Sequence, residues 1–223
     1  MHCGLSAGAL LLSGAAAWLA PASAGAAAPA APAASAGATR EIVVVGDSLS
    51  AEYGIERGTG WVALLSQRLA AEKTGWTVLN ASISGDTTAG GLARLPTLLR
   101  RHPGLVMIEL GANDALRGLP LADTRRNLDA MARQASAAGA RVMLIGIQVP
   151  PNYGREYTNE FARMYVDIAA AHKAPLVPFM LKGVADRPDA DDWFQPDHLH
   201  PLAKAHPVIL GNIWPALQPL LKR

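Results

Sequence analysis

The chain has 223 residues, half of them hydrophobic and 17% charged, with a net charge of +2. This fits one globular domain plus an appendage, and leaves no room for several large domains. Lys and Arg form no basic run, so the footprint of a nucleic-acid binder is missing. The single cysteine, Cys3, excludes disulfides, a Cys-rich metal site and a Cys nucleophile in any chain processed beyond it.

Residues 4–20 are apolar but too short to read firmly as a membrane span, and Ala22-Ser23-Ala24 fits the small-residue rule for a signal peptidase site. Residues 1–24 are therefore predicted to be a signal peptide. The segment has only His2 where Lys or Arg is expected, and the alternative is an uncleaved anchor. Residues 25–39 are rich in Ala and Pro and read as a linker. The remainder, 40–223, reads as a single domain. A cleaved leader implies a periplasmic or secreted protein with no stable membrane span once mature, and a thiol-free chain suits an oxidising compartment.

From residue 41 short apolar runs alternate with amphipathic stretches. Residues 41–46 (EIVVVG) are a β-branched run, as expected of a strand buried on both faces. The pattern continues as helix 60–73, strand 76–82 and helix 87–101, the last kinked or split by Pro96. Strand 104–111, helix 121–139 and strand 140–147 follow, then helix 155–173, a weak strand 174–179 and a final helix 205–221 interrupted by Pro207 and Pro215. Alternation of this kind predicts an α/β protein: a three-layer α/β/α, flavodoxin-like fold with a central five-stranded parallel sheet. In such sheets ligands sit beyond the carboxyl ends of the strands.

The chemically capable residues cluster at those ends. Gly46-Asp47-Ser48 follows the first strand, Ser84-Gly85-Asp86 the second, Gly111-Ala112-Asn113-Asp114 the third, and Asp197-His198-Leu199-His200-Pro201 a loop after the fifth. Ser48 is the candidate nucleophile, with Gly46 letting the backbone turn sharply off the strand. A helix-capping serine is the alternative. His200 is the candidate base: it stands three residues after Asp197, and Pro201 disfavours helical dihedrals at it, so the carboxylate can fold back onto the ring. His198 reads as a solvated loop residue, and no further His or Cys cluster completes a metal site. Gly85, Asn113 and the amide of Ser48 are candidate donors to an oxyanion; read singly, Gly85 and Asn113 could each be a turn residue. Asp47, Asp86 and Asp114 read as hydrogen-bonding supports for these loops, and His102, His172 and His206 as surface or helix-end residues.

Four segments carry a resemblance. GDSLS (46–50), NASISGDTTAGGLARLP (80–96), GANDALRG (111–118) and DHLHP (197–201) match, in order and spacing, the four blocks of the SGNH (GDSL) hydrolases. The match is nearest the bacterial periplasmic acyl-CoA thioesterase, lysophospholipase and arylesterase branch and covers about residues 41–215. The resemblance implies Ser48, Asp197 and His200 as a catalytic triad, Ser48, Gly85 and Asn113 as an oxyanion hole, and no cofactor. Glu52, where close relatives often carry glycine, and His198, where a small residue is common, depart from the pattern. The α/β-hydrolases share the order Ser, Asp, His, but their nucleophile sits in G-x-S-x-G, and position 50 here is serine.

The expectation is thus a serine hydrolase of carboxylic esters or thioesters, acting on a small-molecule substrate through an acyl-enzyme. Leu116, Pro151 and Tyr153 are expected to line an acyl groove, from their apolar and aromatic character beside the motif loops. The alternatives are a carbohydrate O-acetyl esterase of the same chemistry and a noncatalytic binding module.

Overall fold

The computed structural model describes residues 39–222. The predicted signal peptide and nearly all of the predicted linker lie outside the described residues. β1 (Glu41–Gly46) carries the run Ile42–Val45, every residue of it fully buried. A strand covered on one face would alternate apolar and polar residues; this one is apolar throughout because helices cover both faces. β1 pairs with β2 (Thr77–Asn80) on one side and β3 (Leu105–Glu109) on the other. β3 pairs with β4 (Arg141–Ile145), and β4 with the two-residue edge strand β5 (Leu176–Val177). All pairings are parallel, in the order β2-β1-β3-β4-β5. β3 and β4 are nearly as buried as β1, whereas the edge strand β2 is only half-buried.

α1 (Trp61–Ala71) and α6 (His206–Leu221) pack together on one face of the sheet. α2 (Thr88–Leu99), α4 (Leu121–Ala137) and α5 (Arg155–His172) lie side by side on the other. Each turns a helical stripe inward, such as Trp61, Leu65 and Leu69 on α1 or Leu128, Met131 and Ala135 on α4. The chain leaves β1 for α1 on one face and leaves β3 for α4 on the other. Their loops diverge, and a crevice opens between them at the carboxyl end of the sheet.

The expected prolines behave differently from the reading above. α2 runs unbroken through Pro96, and α6 runs unbroken from His206 through Pro215 and Pro219. Pro207 sits in the first turn of α6, where its missing N–H would have had no intrahelical partner. Inside the helices, burial of Leu95 on α2 and of Ile209, Ile213, Trp214 and Leu217 on α6 offsets the lost bonds. A short helix not expected from the pattern, α3 (Ala112–Leu116), follows β3.

α3 is pinned to α2 by Asp114. Its buried carboxylate accepts hydrogen bonds from Thr88 N at 2.9 Å, Thr88 Oγ1 at 2.5 Å and Thr124 Oγ1 at 3.3 Å. It thereby supplies an anionic acceptor at the amino terminus of α2, where the backbone donors have no helical partner. Asp114→Ala should cost about 3 kcal/mol of unfolding free energy, because it orphans buried donors; urea denaturation measures this.

Candidate active site

The turn after β1 presents Ser48. Ser50 N and Ala51 N donate to the Asp47 carbonyl at 3.2 and 2.9 Å, and Leu49 N donates to Asp47 Oδ1 at 3.0 Å. Gly46 is needed here for a different reason from the one expected. A Cβ on it would lie 2.7 Å from Glu109 Oε2 and 2.8 Å from Ser50 Oγ. Close approach of side chains beneath the turn, rather than an unusual dihedral, requires glycine.

His200 is delivered by the loop between β5 and α6. Gln195 N donates to the His200 carbonyl at 2.7 Å and Leu202 N to the Trp193 carbonyl at 2.8 Å, with Phe194 and Pro201 paired as an antiparallel bridge. Within this narrow loop Asp197 Oδ1 accepts from Leu199 N and His200 N, each at 3.0 Å. Asp197 Oδ2 lies 2.6 Å from His200 Nδ1, and His200 Nε2 lies 2.9 Å from Ser48 Oγ. The ring also tilts against Tyr53, with centroids 4.4 Å apart, and Gln195 Nε2 ties this loop to the Tyr53 carbonyl at 2.8 Å. His198 lies 3.2 Å from Asp191 with 68% of its side chain exposed, and it borders the same cavity as His200.

Gly85 and Asn113 line the same cavity as Ser48. Asn113 Nδ2 donates to Asp47 Oδ2 at 3.1 Å, which uses one of its two amide hydrogens. Gly85 has φ of +76°, a left-handed conformation natural to glycine, and Arg117 Nη2 holds its carbonyl at 2.5 Å. Neither Ser48 N nor Gly85 N has a hydrogen-bond acceptor among the described residues. The Arg94 guanidinium braces the two loops, donating to the carbonyls of Gly46 and Ala81, each at 3.1 Å, and pairing with Asp86.

A cavity of about 490 Å³ opens at Ser48. Besides Ser48, Gly85, Asn113 and His200, its wall is mainly apolar: Leu49, Leu116, Ile147, Val149, Pro150, Phe179, Leu181 and Ala185. Of the three residues expected to line a groove, Leu116 lines this cavity. Tyr153 does not reach the cavity: it stacks on Tyr157, which stacks on Phe161. The side chain of Pro151 lies outside the described residues. The groove is built from the residues just after β4 and from the segment following β5, which periodicity alone does not connect. Glu52 does not line it either. Its backbone has a φ of +60°, a conformation that glycine adopts without strain, and its carboxylate accepts from Gly58 N at 2.9 Å and Gly60 N at 2.8 Å. Two charge-assisted bonds offset a backbone cost of about 1 kcal/mol.

Burial raises the Asp47 carboxyl from 3.8 to about 6, against the opposing effects of the Leu49 amide, His200 and Asn113. Glu109, wholly buried beneath it, is raised well above the usual range, first by burial and then by the negative charge of Asp47. At Asp197 some burial acts upward, but hydrogen bonds from the His200 ring and from the amides of Leu199 and His200 prevail and lower it to about 2. Asp197 is thus an anion throughout the neutral range, able to hold the imidazole in one tautomer and to stabilise its protonated form. The assembly can deprotonate an alcohol and receive a developing oxyanion. Among the described residues no cluster of three His, Cys, Asp or Glu is placed to hold a metal ion.

Sequence reasoning missed Glu109, Ser50, Trp61 and His206. Ser50 Oγ donates to Glu109 Oε2 at 2.7 Å and accepts from Trp61 Nε1 at 3.1 Å. His206, expected at a surface or helix end, does begin α6, but it is 3% exposed because Trp61 N donates to its Nδ1 at 3.0 Å. The available signal was Glu109, a carboxylate ending an otherwise apolar strand.

Residues 44–208 match the model of the GDSL-like lipase/acylhydrolase family. The chain is 52% identical to the esterase TesA of Pseudomonas aeruginosa over 185 residues, covering 82% of this chain and 90% of that one. It is 40% identical over 187 residues to a protein of Escherichia coli named thioesterase 1/protease 1/lysophospholipase L1, covering 83% and 87%. The solved crystal structure of TesA superimposes with a TM-score of 0.77 at 52% identity, over 81% of this chain and 99% of that one.

A carboxyl raised on folding stabilises the fold in its protonated form. That contribution is complete below the unfolded value of 3.8 and is lost as pH rises through about 6. The melting temperature of Asp47→Asn should therefore fall less than that of the wild type between about pH 4 and about pH 7, as thermal denaturation across that range will show.

Proposed function

As a member of the GDSL-like lipase/acylhydrolase family, the chain is a serine esterase, and we propose that Ser48 is its nucleophile, His200 its general base and acid, and Asp197 the carboxylate that orients the imidazole. The observation that carries this reading is the 2.9 Å approach of His200 Nε2 to Ser48 Oγ, with Asp197 on the other ring nitrogen. Ser48 Oγ attacks the acyl carbon as its proton passes to His200 Nε2. Negative charge gathers on the former carbonyl oxygen and is met by the N–H groups of Ser48, Gly85 and Asn113, aimed before the reaction begins. The intermediate collapses, and His200 returns the proton to the leaving oxygen or sulfur. Water, deprotonated by the same imidazole, then releases the acid from the acyl-enzyme.

The substrate we infer is a carboxylic ester or thioester with an apolar acyl group, of the aryl-ester, acyl-CoA or lysophospholipid type. The apolar cavity wall supports this over the carbohydrate O-acetyl esterase reading, because a two-carbon acyl group would leave most of that surface wetted. The names of the two relatives agree with it. The strand order 2-1-3-4-5 supports classing the fold as flavodoxin-like, with residues 40–223 as the catalytic domain. The predicted signal peptide supports action in the periplasm or outside the cell. Among the described residues no helix is long and apolar enough to cross a membrane.

Ser48→Ala should lower kcat on p-nitrophenyl esters by on the order of 10⁴-fold or more; substantial turnover in that variant would overturn the assignment. Asn113→Ala should lower kcat by about 10²-fold to 10³-fold with KM little changed, as for loss of one oxyanion donor. Ala185→Trp, which fills the cavity, should reduce kcat/KM for octanoyl far more than for acetyl p-nitrophenyl ester; an unchanged chain-length profile would place the acyl group elsewhere.

A further inference from the structure

Behind the proposed catalytic face runs a second, buried line of hydrogen bonds. Asn113 Nδ2 donates to Asp47 Oδ2 at 3.1 Å, and Asp47 N donates to Glu109 Oε2 at 3.3 Å. Ser50 Oγ donates to that same carboxyl oxygen at 2.7 Å and accepts from Trp61 Nε1 at 3.1 Å. Trp61 N donates to His206 Nδ1 at 3.0 Å, although 145 residues separate them. His206 opens α6, the helix that follows the loop carrying His200. Asp47, Ser50, Trp61, Glu109 and His206 are each no more than 3% exposed.

The two ends of this line meet the two loops that must stay in register. At one end are the turn carrying Ser48 and the carboxamide of Asn113. At the other is the loop carrying His200. Gly60, the cap residue before α1, has no side chain to offer, so the helix's first donor, Trp61 N, is satisfied among the described residues only by the distant His206 ring. Two carboxyls are buried side by side to complete the line, and an apolar filling of equal volume would cost the fold less. Buried polar networks of this kind rigidify when every member is satisfied.

We propose that Glu109 and His206 are positioning residues: through Ser50 and Trp61 they lock the turn bearing Ser48 to the loop bearing His200, and through Asp47 they aim the Asn113 carboxamide. The inference rests on the roles of Ser48, His200 and Asn113 proposed above. Glu109 acts here as a hydrogen-bond acceptor for Ser50 Oγ–H and Asp47 N–H, so a neutral amide of the same shape should replace it.

The test measures kcat and KM on p-nitrophenyl butyrate, with a thermal melt for each variant. Glu109→Leu should lose at least about 20-fold in kcat with KM within about twofold, while Glu109→Gln stays within about threefold of the wild type. Ser50→Ala and His206→Leu should each lower kcat, and the double variant should fall little below the worse single one, because either break interrupts the same line. These two carry the test unaided if Glu109→Leu does not fold. The proposal fails if Glu109→Gln is as impaired as Glu109→Leu. It fails equally if Ser50→Ala and His206→Leu keep wild-type kcat, if their losses multiply, or if KM alone changes. Ser48→Ala run in parallel separates the cases: an inactive Ser48→Ala beside fully active Ser50 and His206 variants removes only this inference, whereas an active Ser48→Ala removes the nucleophile assignment itself.

Discussion

A contact of 2.9 Å between His200 Nε2 and Ser48 Oγ joins atoms 152 residues apart in the chain. Nothing local can hold such a distance. It exists because every strand of the sheet points the same way, so the ends of β1, β2, β3 and β5 share one edge. The change of direction between the β1 and β3 crossovers then leaves that edge open where the loops diverge. Slipping β1 against β3 by one residue would turn Val43 and Val45 to the opposite layer and carry Ser48 away from His200. The register of a fully apolar, doubly covered strand therefore underwrites the geometry of the polar site above it.

The site spends part of the stability that the core supplies. Asp47 and Glu109 lie buried next to each other under the turn carrying Ser48, an arrangement that costs free energy unless at least one is protonated and both are hydrogen-bonded. Their surroundings meet those terms: amides of Asp47 and Leu49, the Ser50 hydroxyl and the Asn113 carboxamide all donate to them. Asp197 sits in the opposite environment, partly solvated and fed by two amides and an imidazole, and stays ionised. Acidic groups near one serine thus differ in charge because their burial and their donors differ.

Where the sequence reading missed, a competing physical effect can be named. Pro96 and Pro215 read as helix breakers because local rules give a proline a high cost inside a helix, but burial of the flanking apolar stripe is not visible to a local rule. Tyr153 sits near the right loops, yet its ring is taken up by a stack on Tyr157 and Phe161. His206 resembled the other scattered histidines. Only the packing of α6 on α1 brings Trp61 N to its ring. Gly46 was correctly singled out but for the wrong cause, because the crowding that demands it comes from Glu109 on another strand.

The order of the strands and longer helices, the parallel sheet and the position of Ser48, Gly85, Asn113, Asp197 and His200 beyond strand ends were readable along the chain. Each depends on periodicity, on turn chemistry or on motif spacing, and these are properties of neighbours in sequence. The apolar cavity at Ser48, the crowding under Gly46 and the buried line from Asn113 to His206 were decided only when the layers packed. They arise from contacts between residues tens to more than a hundred positions apart, and a one-dimensional pattern contains the partners of such contacts without their pairing.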